Sequence, residues 1–272
     1  MSSQSVAYAL GGTLTEQQRL IAQAKGLEVR TNWLLNHIGV ASGQRTVDVG
    51  CGPVGILNLL SDRVGRDGVV IGVEREPRFF DMAQAELDTR GLQNVKLVKA
   101  DALHTGLERN SYDFVHERLL LINFPPASQH ALLTEMMALL KPGGTIAVQE
   151  FDSASYVCYP EHPSWNILLS IWNDTFHDAG GNEFVGRSIG RQLRFAGVEN
   201  VSMKVHVEVA KVGEYRRTFS LLQSMEDSVV SSGRITKTEL KKHVTALSEH
   251  LADPETTLID KLVVQAWGQK RS

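Results

Sequence analysis

The chain has 272 residues, 42% hydrophobic and 22% charged, with a net charge of −3. That length suits one large α/β domain or two small ones and buries a sizeable core without staples, and the near-neutral charge excludes an electrostatic footprint for nucleic acid. Two cysteines, Cys51 and Cys158, favour a reducing, cytoplasmic setting over a disulfide framework; no apolar run is long enough to span a membrane, and "MSSQSVAYAL" lacks the basic and apolar regions of a secretory signal.

Residues 13–38 read as a helix opened by a Thr13–Glu16 capping box, and "RTVDVG" as a strand ending in glycine. Then helix and strand alternate: "GPVGILNLLSDRV" helical, "GVVIGVE" a strand, "PRFFDMAQAELDTRG" a helix with Pro77 at its start and Gly91 past its end. "VKLVKAD" and "YDFVHE" are strands, "PASQHALLTEMMALLKPGG" is a helix with a turn, and "TIAVQEF" is a strand. Such alternation predicts βαβ units and a mostly parallel sheet, whose ligands sit at the carboxyl ends of the strands. After residue 153 the pattern loosens: one helix near 163–178, a short one at "IGRQLRFAGV", a strand at "VSMKVHVEVA", helices over 213–252 broken at "SSGRIT", and a closing strand "KLVVQAWGQK". No linker separates domains, so 1–272 reads as one unit: 1–40 a helical lid, 41–152 a cofactor-binding core, 153–272 pocket elements and closing strands.

Gly50, Gly52 and Gly55 spell G-x-G-x-x-G, the dinucleotide fingerprint. Three acids end three successive strands: Asp48, Glu74 and Asp101. Glu74 lies where this fold uses an acid for ribose hydroxyls, and a carboxylate at Asp101 can accept from an adenine amine. Asp48 is the discriminator. Beside a pyrophosphate it would be repelled, whereas it attracts an ammonium. Adenine, ribose and an amino-acid end together describe S-adenosylmethionine. The alternative for Asp48 is a cap on the helix or the loop amides.

The order "VDVGCGPVG", "VIGVE", "KADA", "YDFVHERLLL", "LKPGGTIAVQE" resembles the successive motifs of class I S-adenosylmethionine-dependent methyltransferases, in their ubiquinone/menaquinone-type, small-molecule branch. The resemblance covers 45–152 and implies a Rossmann-like, doubly wound sheet of about seven strands with the last antiparallel, plus a helical lid and a helical insertion. It implies Asp48, Gly50 and Gly52 at the methionine part, Glu74 at the ribose, Asp101 and Ala102 at the adenine. His116, Glu117 and Arg118 fall where the family closes over the cofactor. The loop departs from G-x-G-x-G in reading Pro53-Val54 before Gly55. "YALGGTLTEQQRLIAQA" resembles the segment that folds over the pocket in such enzymes, which would bring Tyr8, Arg19 and Gln23 to the cofactor.

Displacement on an activated methyl needs positioning more than a catalytic signature; a base is needed only where the acceptor must lose a proton. The candidates are His116, expected at the carboxyl edge near the methyl, and Glu150 with Asp152, alternate residues expected to share a face as base, metal ligands or loop caps. No third oxygen ligand for a metal is apparent, so none is expected. Tyr156, Tyr159, His162, Trp165, Trp172 and His177 would line an apolar pocket, part of them serving instead as helix core. Asp174, His177 and Asp178 share a helical face but make no ligand set alone. "NFPP" (123–126) has the wrong order for the Asn/Asp-Pro-Pro-aromatic motif of nucleic-acid methyltransferases. The expected activity is methyl transfer to a small, apolar or aromatic acceptor through O, N or C, with a homodimer left open. The rivals are a cyclase of the same fold that uses the bound cofactor electrostatically, and an NAD-dependent oxidoreductase.

Overall fold

The computed structural model describes residues 14–53, 55–210 and 226–272, with side chains from Gln18 onward. Tyr8 and the Thr13–Glu16 capping box lie outside the described side chains.

Helix α1 (Leu14–Ile38) precedes β1 (Arg45–Val49), α2 (Leu57–Val64), β2 (Val69–Glu74), α3 (Pro77–Arg90), β3 (Val95–Lys99), β4 (Tyr112–Arg118), α4 (Pro126–Leu139) and β5 (Leu140–Asp152). The second half holds β6 (Val157–Tyr159), α5 (Pro163–Asp178), α6 (Ile189–Phe195), β7 (Val198–His206), β8 (Val209–Ala210), α7 (Glu226–Ser231), α8 (Lys237–Ala252), β9 (Thr257–Ile259) and β10 (Leu262–Lys270). The main sheet has seven strands in the order β3-β2-β1-β4-β5-β10-β7, with β10 antiparallel to both neighbours. The expected Rossmann-like fold with an antiparallel closing strand is present.

Adjacent strand residues feed opposite faces, as the pleat requires. Phe114 joins a core with Leu34, Leu35 and Leu60 of α1 and α2, while Val115 joins Leu132, Leu133 and Met136 of α4. Burial on both faces explains why the strands read as unbroken apolar runs. Strand order reverses between β1 and β4, the switch point where such sheets open a crevice. In that register Asp48 lies opposite His116 and Val49 opposite Glu117.

Two readings need correction. The Lys-Pro-Gly-Gly turn is drawn into β5, which begins at Leu140 once Gly143 takes φ +77°. The stretch read as a strand over 201–210 splits: β7 ends at His206, and β8 crosses into a small sheet ordered β6-β9-β8 that the sequence pattern did not predict. Strands of two or three residues are too short to show a period.

Candidate cofactor and acceptor site

The loop after β1 turns through three glycines at positive φ: Gly50 at +68°, Gly52 at +60° and Gly55 at +53°. A Cβ on Gly50 would lie 2.8 Å from Leu120, and one on Gly55 2.8 Å from Asp48 Oδ2 and 2.7 Å from the Cys51 carbonyl. At Gly52 nothing lies within 4 Å. Gly50 therefore lets the loop pack against Leu120 after β4, Gly55 closes the loop on itself, and Gly52 leaves backbone open for a ligand to approach.

Asp48 fixes this loop from below. Its Oδ2 accepts the Ile56 N–H at 3.1 Å, and its Oδ1 lies 2.8 Å from His116 Nδ1. The carboxylate thus caps the start of α2, where no local side chain does so, and it also lines the cavity. Glu74 Oε2 accepts the Gly52 N–H at 2.9 Å, and Oε1 accepts those of Arg75 and Glu76 at 2.8 and 2.7 Å. Burial raises the Glu74 pKa against these amides. Asp101 Oδ1 accepts the Leu103 N–H, and Oδ2 accepts from Arg75 at 3.1 Å. Cys51 is a packed residue of the loop: burial, then the charges of Asp48 and Glu74, push its thiol well above the usual range.

A cavity of about 220 Å³ joins these groups to an aromatic wall. At one end are Asp48, Gly50, Gly52, Glu74, Asp101 and Ala102; at the other are Phe124, Phe151, Trp172 and Phe176. Arg19 and Gln23 of α1 line it too, joined by a 3.0 Å hydrogen bond. Arg118 lines it and ties α1 to the glycine loop, donating to Thr31 Oγ1 at 3.1 Å and to the Gly55 carbonyl at 3.0 Å. Burial lowers its pKa.

Four expected site residues do not line the cavity. His116 does not end its strand, which runs on to Arg118, and its fully buried ring sits behind Asp48. Glu117, expected at the cofactor, is buried under the turn that follows β4 and accepts the Leu120 N–H at 2.9 Å. Glu150 accepts the Ile122 N–H at 3.1 Å from the same turn. The two carboxyls face each other across a hydrogen bond; burial raises Glu117 to about 8, and burial with the Glu117 charge raises Glu150 well above the carboxylate range. Asp152 turns instead to Arg187, taking its Nε and Nη2 at 2.8 and 2.7 Å. Glu150 and Asp152 do share a face, but it is the face away from the cavity; Phe151 between them is the lining residue.

Of the six aromatics expected in the acceptor pocket, Trp172 lines it. Tyr156 and Trp165 pack edge to face at 4.8 Å, His162 caps α5, and Tyr159 is 72% exposed. Asp174 and Asp178 pair with Arg234, and no metal-ligand cluster exists among the described residues. Phe124, Phe151 and Phe176 of the aromatic wall went unnoticed in the sequence, and so did one charged residue. Lys261 sits at the aromatic end with its Nζ 3.9 Å from the Trp172 ring centre. Nothing in the sequence marks it, because a lysine opening an apolar strand ordinarily faces solvent.

A family model described as a methyltransferase domain matches residues 46–144. A demethylmenaquinone methyltransferase of Geobacillus stearothermophilus is 31% identical over 183 residues, 63% of this chain and 77% of that enzyme. The enzyme of the same name from Staphylococcus saprophyticus is 33% identical over 117 residues, 43% of this chain, and there the chain spans about half of the relative, 48%. A SAM-dependent methyltransferase structure from Aquifex aeolicus shares the fold, with a TM-score of 0.53 at 20% identity over 75% of this chain and 95% of that one. The chain belongs to the class I S-adenosylmethionine-dependent methyltransferases, in the branch that includes the demethylmenaquinone enzymes.

Proposed function

We propose that the protein transfers the methyl of S-adenosylmethionine to a small apolar or aromatic acceptor held at the far end of its cavity. The observation that carries this reading is the two-ended cavity itself, with carboxylates and an open glycine backbone at one end and aromatic faces at the other. The donor set suits the cofactor. Gly52 leaves room where a Cβ would intrude, the carboxylate of Asp48 favours an ammonium, Glu74 can accept from the ribose hydroxyls, and Asp101 beside Ala102 can accept from the adenine amine. When bound, the cofactor supplies a methyl already activated on a sulfonium.

The chain's own work is then placement. Arg118 holds α1 against the loop, and Arg19 and Gln23 cover the site from that helix. His116 is a positioning residue that orients Asp48. Glu117 and Glu150 hold the turn bearing Leu120 and Ile122, and Asp152 holds the backbone before α6. Residues 1–40 act as the cover, 41–152 hold the cofactor and 153–272 wall the acceptor, within one catalytic unit. Demethylmenaquinone, the acceptor in the relatives' name, is an example of the apolar class this wall suits. No helix among the described residues is long and apolar enough to cross a membrane.

Calorimetric titration with S-adenosylmethionine, S-adenosylhomocysteine and NAD tests the cofactor. Micromolar binding of the first two, and none of the third, is expected. Heat from NAD alone would move the protein to the oxidoreductases. Product mass then separates transfer, which adds one methylene unit, from cyclisation, which leaves an isomer.

A further inference from the structure

We propose that Lys261 is the acceptor-binding cation of this site and selects an acceptor with an acidic aromatic hydroxyl, which it holds as the phenolate. The proposal deepens the reading above and rests on it.

The backbone around Lys261 is pinned on both sides. The Asp260 N–H donates to the Glu208 carbonyl at 2.9 Å, and the Asp260 carbonyl accepts Ser155 Oγ at 2.7 Å. The Asp260 side chain accepts the Lys261 N–H, and Leu262 enters the sheet opposite Asp152. The lysine side chain therefore cannot swing out with a flexible loop. It is 8% exposed and lines the cavity, its Nζ above the rings of Trp172 at 3.9 Å and Tyr156 at 5.0 Å.

Among the described residues, Nζ has no hydrogen-bond acceptor and no ion-pair partner. The charges that act on it are Asp260 and Glu183, which favour the ammonium, and Arg19, which opposes it. Burial outweighs them and brings its pKa down to about 8. A buried ammonium without an anion is costly, and aromatic faces offset part of that cost while adding no acceptor. None of the described residues supplies that anion, and Nζ faces a cavity that can admit one. The flat walls of Phe124, Phe151, Trp172 and Phe176 favour an aromatic body for it, and Nζ favours an oxygen anion at its edge.

The proton step is simple. The acceptor's O–H bond breaks with its electron pair left on oxygen, and the proton forms a third N–H bond on neutral Nζ. Where Nζ is already the ammonium, the hydroxyl proton leaves to solvent and the bound pair is the same. Either route yields a nucleophile at oxygen or at the ring carbons conjugated with it, and a proton acceptor poised near neutrality.

The test uses p-nitrophenol, whose phenolate has its own absorption band, with the full chain saturated with S-adenosylhomocysteine. Below the solution pKa of the probe, the wild type should bind it largely as phenolate. Lys261→Met should lower the affinity for the phenolate at least about tenfold, equal to one pKa unit of lost preference for the anion. Lys261→Arg should retain the phenolate band, since it keeps the charge and the aromatic contact. Unchanged S-adenosylhomocysteine binding in both variants shows that each is folded and cofactor-competent. Equal phenolate fractions in wild type and Lys261→Met overturn the proposal, as does failure of p-nitrophenol to bind a wild type that binds S-adenosylhomocysteine. Failure of S-adenosylhomocysteine to bind the wild type overturns the cofactor reading instead.

Discussion

The two ends of the cavity are assembled by different kinds of interaction. At the cofactor end each acid is held by backbone amides close in sequence: Glu74 by Arg75 and Glu76, Asp101 by Leu103, Asp48 by Ile56 eight residues on. At the acceptor end Phe151 comes from β5, Trp172 and Phe176 from α5, and Lys261 from the link between β9 and β10, with no hydrogen bond joining them among the described residues. The first end is a loop-and-strand device that carries its own geometry. The second exists only once distant elements have packed. Perturbations should therefore couple folding to ligand binding at the first end and separate them at the second.

The largest expected effect is at Asp48. Replacing it with alanine strands the buried Ile56 N–H and the buried His116 ring nitrogen together, each worth about 1–3 kcal/mol, so urea unfolding should report a loss of roughly 4 kcal/mol and calorimetry no binding of S-adenosylmethionine. Asp48→Asn keeps an oxygen for Ile56 but removes the charge. It should lose less stability and still weaken the cofactor by about 10- to 100-fold, the worth of a charge-assisted hydrogen bond. Full retention of affinity in Asp48→Asn would reduce the residue to a helix cap.

The same contrast explains what the sequence made legible. The sheet, its switch point and the three acids follow from patterns that repeat every few residues, so β1 to β5 and Glu74 were readable from spacing. His116 was misplaced because a period of two says which residues share a face, and not how many further residues a strand continues. Glu150 and Asp152 were paired correctly and aimed wrongly: alternation fixes that they agree, and only the packing of Arg187 and the 121–123 turn decides which side they face. Lys261 carried no local signal, since its environment is supplied by Trp172 of α5, by Tyr156 just before β6 and by the turn before it.

Asp152 breaks the comparison from the other side, being a strong polar anchor outside the cavity. Burial alone would raise its pKa, but Arg187 and the amides of Ala154 and Arg187 hold it below the usual range. A depressed carboxyl stabilises above its unfolded pKa, and that contribution is lost as pH falls through the folded value. Asp152→Ala should cost about 2–3 kcal/mol at pH 7, and less as the pH falls through the folded pKa of Asp152, while the affinity for S-adenosylmethionine stays within about twofold, since Asp152 touches none of the cavity. A large loss of affinity would mean that the segment before α6 does reach the cofactor.

Glu117 and Glu150 give the opposite pH sign. Their folded pKa values are raised, so the folded state retains a proton that the unfolded chain releases above about 4.5. That stability is complete below the unfolded value and declines as pH rises toward about 8. Wild type should lose stability between pH 6 and pH 8 from this pair. Glu150→Gln keeps an oxygen for the Ile122 N–H and an amide for Glu117, so its urea midpoint should change less over the same range. Equal slopes for the two proteins would mean that no proton is shared there.

The smallest effect should come from the seam between the cover helix and the sheet. Thr31 is fully buried in α1, accepts from Arg118 at 3.1 Å and donates to Gln149 Oε1 at 3.2 Å. The same Gln149 oxygen accepts Gln265 Nε2, which also reaches the Arg30 carbonyl, so one polar chain fastens the middle of α1 to β5 and β10. The half of α1 nearer the cavity, with Arg19 and Gln23, continues from this seam past the buried Leu27, with Leu34 and Leu35 packed in the core on its other side. Thr31→Val preserves volume and removes both hydrogen bonds. Because Gln149 keeps Gln265 and Arg118 keeps the Gly55 carbonyl, neither partner is stranded, and the cost should be about 1 kcal/mol. Hydrogen exchange should then rise over residues 18–27 before it rises over 45–75, and S-adenosylmethionine should dissociate a few-fold faster. If exchange rises equally in both segments, α1 is an integral wall of the core, and the distinction between a cover and a cofactor-binding frame dissolves.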